Sequence, residues 1–414
     1  MGAAMVGENE ARISGAWRQP VLAVGLTLWL GAYWFSSDAG IHRLSLFVLV
    51  LPGVLLNLES LKAVMRRESW VYIAVGLLVY QWLSRSWSGG EGEAVSEGYW
   101  LDVMMMMVLL GGMLAVAESA LVRRWILPTL GVTAALGSLY SLLVYYSDAD
   151  RSVAEDRLRH MLVYDHGLNP VLTGLLFSFG ALVVIGQTTE GGKWRWGWLA
   201  ALVVVVLGML ASQSRGAILA FGFGGLVFLL LKKRKTVPAV LVSGGTTLAF
   251  FGVLMWVQSG TEAAKDLIGR GETGRFEIYG WFFNQMGGLD GVIGKGMGHA
   301  STIPEEELGW FIEHPHSIYV TQFFLTGAIG TGLMLLALMM GVQAAWKLAQ
   351  RGEVLWLALL GGFCIALFFD GSHVFSVFSS GRIEPLLLVF PAAMAVGRVG
   401  REEKPKGSHV LPGG

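Results

Sequence analysis

The sequence predicts an all-α integral membrane protein with about twelve transmembrane helices. Three observations carry that reading. Of 414 residues, 54% are hydrophobic and only 14% are charged, which is more apolar surface than a soluble chain of this length can hide. Apolar segments long enough to cross about 30 Å of hydrocarbon recur along the chain. The short connections between them alternate between basic and less basic.

Taken in order, the apolar segments fall at 19–36, 43–58, 70–84, 100–117, 125–147, 168–187, 196–211, 216–231, 237–258, 317–346, 353–370 and 382–398. The first is read as a retained span. It is long, has no clear small-residue cleavage site, and is followed at once by a second span. The basic connections hold Arg12, Arg18, Lys62, Arg66, Arg67, Arg123, Arg124, Lys193, Arg195, the run Lys232 to Lys235, Lys347, Arg351, Arg398, Arg401, Lys404 and Lys406. These are 19 of the 30 Lys and Arg, leaving 11 for the longer loops. The positive-inside rule then places both termini in the cytoplasm. The whole chain, 1–414, reads as one polytopic membrane domain.

Zero net charge gives no general attraction to nucleic acid, and none is expected as a partner. Membrane lipids are. The single cysteine, Cys364, excludes an intrachain disulfide. Span centres are nearly free of charge, whereas ion-coupled transporters carry ionisable groups or broken helices at the midplane. Here Arg215, Asp370, Arg382 and Glu384 fall at outward span ends, which favours a reaction site at the membrane surface over a translocation path.

Three outward loops stand out: 85–99, acidic and Gly-rich; 148–166, with Arg151, Arg157, Arg159, His160 and His166; and 259–316, the longest, which holds most of the candidate chemistry. The third ends in Glu313-His314-Pro315-His316-Ser317, where chain leaves water and enters an apolar stretch. Histidine can take and return a proton near neutral pH. Pro315 restricts His314 to extended geometry, so His316, at the start of the next helix, is the better-oriented base. A His-x-His pair can also ligate a metal if further ligands join it. His299 and Glu313 are available, though no spacing supports them, and no metal is expected.

Arg215 lies in the tight turn Ser212-Gln213-Ser214-Arg215-Gly216, held at the outer boundary; an interfacial snorkelling arginine has the same position. From Arg275 a helical pattern begins, with Phe276, Tyr279, Phe282, Phe283 and Met286 on one face. An arginine at a helix N-terminus suits an anion such as a pyrophosphate. An amphipathic helix resting on the bilayer gives the same pattern. The Gly-rich stretch 287–298 lacks the G-x-x-x-x-G-K-[ST] pattern of a nucleotide loop, so it reads as turns returning the helix to the bundle. Glu305, Glu306 and Glu307 read as a solvated face.

Together these residues resemble the O-antigen ligase superfamily. Its signature is a His, then Asn, Ser or Gln, nine residues, Gly, two residues, then Gly, Thr or Tyr. Here it reads His316, Ser317, Ile318 to Thr326, Gly327, Ala328-Ile329, Gly330. Ser214-Arg215-Gly216, Gly274-Arg275-Phe276 and Gly294-Lys295-Gly296-Met297-Gly298 are similar to that family too. So are twelve spans with a large periplasmic loop before the tenth. The resemblance implies a GT-C-like, metal-independent, inverting glycosyltransferase of the bacterial inner membrane. Its donor would be a glycan on undecaprenyl pyrophosphate and its acceptor a sugar hydroxyl of lipid A–core. By similarity Arg215 and Arg275 would hold the donor pyrophosphate and His316 would deprotonate the acceptor, with His314 and Arg382 as further substrate contacts. No nucleotide or other cofactor is implied, because the lipid pyrophosphate is itself the activating group.

Three alternatives compete. A repeat-unit polymerase uses the same donor, but an Arg-x10-Gly spacing associated with some polymerases is missing: Leu226 and Met286 stand eleven positions after Arg215 and Arg275. A protein O-glycosyltransferase is expected to run further past the last span. A small-solute transporter, from a different class, is opposed by the charge-free span centres.

Overall fold

The computed structural model describes residues 17–36, 38–88, 99–152, 156–161, 169–258, 274–309, 311–371 and 383–402. Among these the regular elements are helices and no strand forms; Ile303 and Ile312 make an isolated antiparallel bridge. In chain order the α-helices are α1 (Arg18–Ala32), α2 (Ala39–Ser45), α3 (Leu51–Leu56), α4 (Leu58–Met65), α5 (Ser69–Ser84), α6 (Tyr99–Ala117), α7 (Leu127–Tyr145), α8 (Pro170–Glu190), α9 (Arg195–Ala211), α10 (Arg215–Gln258), α11 (Arg275–Asn284), α12 (Asp290–Ile293), α13 (Glu305–Leu308), α14 (Ile318–Gln350), α15 (Leu355–Ala366) and α16 (Phe390–Glu402). Short π-helical turns join α2 to α3 and lead into α7 and α16.

Among the described residues, Val122–Tyr145, Pro170–Glu190, Arg215–Lys232 and Ile318–Gln350 are long and apolar enough to cross a membrane. Gly40–Leu56 and Leu58–Met65, bent by 73°, make a further span if counted as one broken helix. The all-α class expected from the sequence is the class observed, with helices whose length and composition suit a membrane. One connection differs. The sequence reading separates spans at 216–231 and 237–258 by the basic run 232–235, but α10 continues through it with Pro238 inside the helix. Lys and Arg are strong helix formers and the run holds no glycine, so charge alone does not end the helix there.

The core is built around α8, whose residues from Thr173 to Thr189 are all buried. An element apolar on every side needs neighbours on every side, and α7, α9, α10 and α15 supply them. Contact between α10 and α15 is close: a Cβ on Gly362 would lie 2.6 Å from the Ala220 carbonyl oxygen. Small residues are what allow backbones to approach in this way where apolar burial gives no extra drive.

α15 separates two polar ends of the bundle. Before it, Glu353 accepts from Arg398 Nη2 at 3.0 Å and pairs with Arg123 at 2.5 Å, while Arg398 Nη1 donates to the Ala117 carbonyl at 3.0 Å. Arg123 and Arg398 belong to the basic, inward set of the sequence reading. After α15 the chain runs from Leu367 to Gly371, where residues of the set that the sequence reading places outward gather.

α14 is broken at Gly327, whose φ of 61° and ψ of −164° leave the helical region. A break frees carbonyls in the preceding turn, which apolar surroundings cannot satisfy. The 292–296 segment fills the gap: Lys295 N donates to Phe324 O at 2.9 Å and Gly296 N to Leu325 O at 2.8 Å. Trp87 Nε1 and Tyr80 Oη donate to Gly294 O and Ile293 O, and Ser84 Oγ accepts from Met297 N. The Gly-rich stretch is therefore wedged between α5 and the break in α14.

Candidate active site

The start of α14 fixes the first part of the site. Ser317 caps the helix, its hydroxyl accepting from Val320 N, and Ile318 N donates to Leu367 O at 3.1 Å. That bond ties the helix start to the chain leaving α15. His316, just before the cap, takes φ of 54°, a left-handed conformation costly for a residue with a side chain and concentrated at functional sites. Its Nδ1 lies 3.6 Å from Asp370 Oδ1. His314 Nε2 lies 3.9 Å from the same oxygen, and the two imidazoles are 4.3 Å apart. Asp370 is 7% exposed. Burial pushes its carboxyl up, but contact with His316, the Gly371 N–H and the charge of both imidazoles outweigh it, so the group is held below its ordinary range.

The second part is α11. Gly274 supplies φ of 66° before the first helical residue, Arg275, a conformation that Cβ disfavours. Arg275 Cζ lies 5.9 Å from the centroid of the Phe369 ring. Tyr279 Oη donates to Phe368 O at 3.1 Å and lies 3.5 Å from His316 O. Burial raises the Tyr279 phenol above its usual range despite nearby Arg275, so it stays a neutral donor. The helix does not bury the face expected of it. Ile278, Tyr279 and Phe282 are buried, whereas Phe276 and Phe283 are exposed, because α14 contacts the helix on one narrow side.

The third part is the turn before Arg215. Gln213 has φ of 52°. Arg157 Nε donates to Ser212 O at 3.1 Å, and Leu158 N donates to Ala211 O at 2.9 Å. A Cβ on Gly174 would meet Ser212 Oγ at 2.4 Å, so α8 presses directly on the turn. Behind Arg157 the chain is anchored by His160, fully buried, whose Nδ1 lies 2.6 Å from Ser141 Oγ and whose N–H donates to Thr173 Oγ1. Burial drives that imidazole down to about 4, so it is neutral and structural. Arg215 itself is exposed. A Cβ on the following Gly216 would lie 3.7 Å from Ala366 O, which sets the turn against the end of α15.

The 366–371 segment is thus common ground. His314 and His316 reach Asp370, Arg275 lies over Phe369, and the Arg215 turn abuts Ala366. Arg382 lies outside the described residues. Asp370, read from sequence only as a charge at a span end, turns out to be the partner of both histidines; nothing in its spacing from them announces this. Arg157 was visible only as one of several basic loop residues.

Among the described residues, His314, His316 and Asp370 offer ligand atoms within 4.8 Å of one another, a grouping of the kind that can hold a metal. His299 and Glu313 are not in it. His299 packs on Phe324, with rings 5.6 Å apart, and Glu313 is exposed.

No curated protein matches the chain. Residues 200–335 match the family described as O-Antigen ligase, a span that takes in the Arg215 turn, α11, the Gly-rich wedge, His316 and the break at Gly327. That stretch of the chain is similar to the O-antigen ligase family.

Proposed function

We propose that the protein is an O-antigen ligase of the bacterial inner membrane. It transfers a glycan from undecaprenyl pyrophosphate to a sugar hydroxyl of lipid A–core on the periplasmic face, in lipopolysaccharide biosynthesis. The 259–316 loop is periplasmic in this reading and both termini are cytoplasmic. The observation that carries it is the pairing of His316 with buried Asp370, beside Arg275 and the Arg215 turn, with His316 and both arginines within a stretch similar to the O-antigen ligase family.

The geometry supports the following chemistry. Asp370 faces Nδ1 of His316, which favours the tautomer with the proton on Nδ1 and leaves the Nε2 lone pair available. Nε2 takes the acceptor hydroxyl proton as the oxygen attacks the anomeric carbon. The bond to the pyrophosphate oxygen breaks from the opposite side, so configuration inverts. Arg215 and Arg275 bind the donor pyrophosphate and offset the charge that grows as it leaves. Asp370 stabilises the imidazolium that forms. The chemistry needs no metal and no nucleotide.

The test is reconstitution. Purified protein in vesicles is given undecaprenyl-pyrophosphate-linked glycan and lipid A–core. Glycan appearing on lipid A–core supports the ligase. Growth of the lipid-linked glycan without lipid A–core makes the protein a polymerase instead.

A further inference from the structure

We propose that His314, His316 and Asp370 form an inhibitory site for a divalent transition-metal ion of the zinc type. The proposal rests on the assignment of His316 as the base. Two imidazole nitrogens and one carboxylate oxygen are a donor set that suits zinc, with one position left for water. Donor atoms on one tetrahedral zinc ion, at bonds of ~2.1 Å, lie ~3.4 Å apart. The two histidine–carboxylate separations, 3.9 Å and 3.6 Å, are within ~0.5 Å of that spacing. The ligand atoms of all three residues lie within 4.8 Å of one another, so closure needs side-chain shifts of roughly 1.4 Å or less. The carboxylate is buried and ionised, and supplies the negative charge. The His316 side chain is 42% exposed, which leaves a path for the ion from the outward face.

Occupancy removes the base. The ion takes the Nδ1 lone pair of His316, and the ring proton then resides on Nε2. That nitrogen can no longer accept a proton from the acceptor hydroxyl. The same ion engages the Asp370 charge that would have stabilised the imidazolium. The site thereby couples transfer to the free concentration of such ions outside the cytoplasm.

The test uses the full-length protein, purified and freed of metal by chelation. Co²⁺ is the probe, because its ligand-field absorption reports coordination without turnover. One Co²⁺ per chain is expected, displaced by Zn²⁺. His314→Ala and Asp370→Asn should each weaken binding by at least about tenfold, since even the outer partners of metal ligands are worth that much. In parallel, Zn²⁺ should inhibit wild-type transfer, and His314→Ala should need at least about tenfold more Zn²⁺ for the same fractional loss of its own metal-free activity. Wild-type Co²⁺ affinity in both variants, or Zn²⁺-insensitive wild-type transfer, overturns the proposal. So does transfer that is abolished by chelation and restored by Zn²⁺, which would make the ion part of the machinery. Transfer absent under every condition while Co²⁺ still binds through the three residues overturns the ligase reading and the inhibitory role with it, leaving only the metal site.

Discussion

Gly327 and Gly294 meet backbone to backbone. A Cβ on Gly327 would lie 2.5 Å from Gly294 N, and one on Gly294 would lie 2.4 Å from Thr326 N. Both residues hold positive φ, 61° and 81°. The two glycine motifs of the sequence are therefore the two halves of one contact. It sets the break in α14 against the wedge from the preceding loop, ten residues after the cap at Ser317.

Gly327→Ala should separate the wedge from α14. The substitution combines a disfavoured conformation with a backbone clash, so a loss of about 3 kcal/mol or more is expected. Thermal unfolding of the detergent-solubilised protein measures it. Gly332→Ala, at a helical position with open space around it, should change little. Equal melting of the two variants would show that the contact carries no weight.

Asp370→Asn should leave the fold in place and lower kcat by about 100-fold or more, with the donor KM little changed. Asn keeps the shape but not the charge, so His316 loses both its preferred tautomer and the partner of its charged form. Since the Asp370 carboxyl is held below its ordinary range, the wild-type pairing should persist down through mildly acidic pH. A loss confined to donor KM would place Asp370 in binding instead of base activation.

Arg275→Ala and Arg215→Ala should each reduce transfer by about 100- to 1,000-fold, the scale of removing one donor to a developing negative charge. Lys at either site keeps the charge but not the planar fork, and should recover only part of the activity. Thermal stability should be near wild type in all four variants. Active Ala variants would remove the pyrophosphate clamp from the mechanism.

Orientation is open to direct chemistry. A cysteine replacing exposed Glu306 on α13, in a Cys364→Ala background, should react with a membrane-impermeant thiol reagent in cells permeable only at the outer membrane. A cysteine replacing Lys233 should not. The reverse pattern would move the His316 site to the cytoplasmic face, away from the proposed donor and acceptor.

The sequence by itself determined the apolar, all-α class, the positions of the long polar connections and the residue types of the candidate site. These are local properties: apolar length, charge count, and short spacings such as His316 to Gly327. The helix starts at Arg275 and just after His316 were legible for the same reason. Tertiary structure alone decided that Asp370 belongs to His314 and His316, that Arg157 holds the Ser212 turn, and that Gly294 lies in the break at Gly327. Each joins residues far apart in the chain, and no periodicity records which helix ends will meet. It also decided which face of α11 is buried, because Tyr279 and Phe282 are selected over Phe276 and Phe283 by where α14 lies, while all four are simply aromatic rings at helical spacing to a sequence reading. Packing sets those choices, since buried polar groups must find partners wherever the bundle brings them.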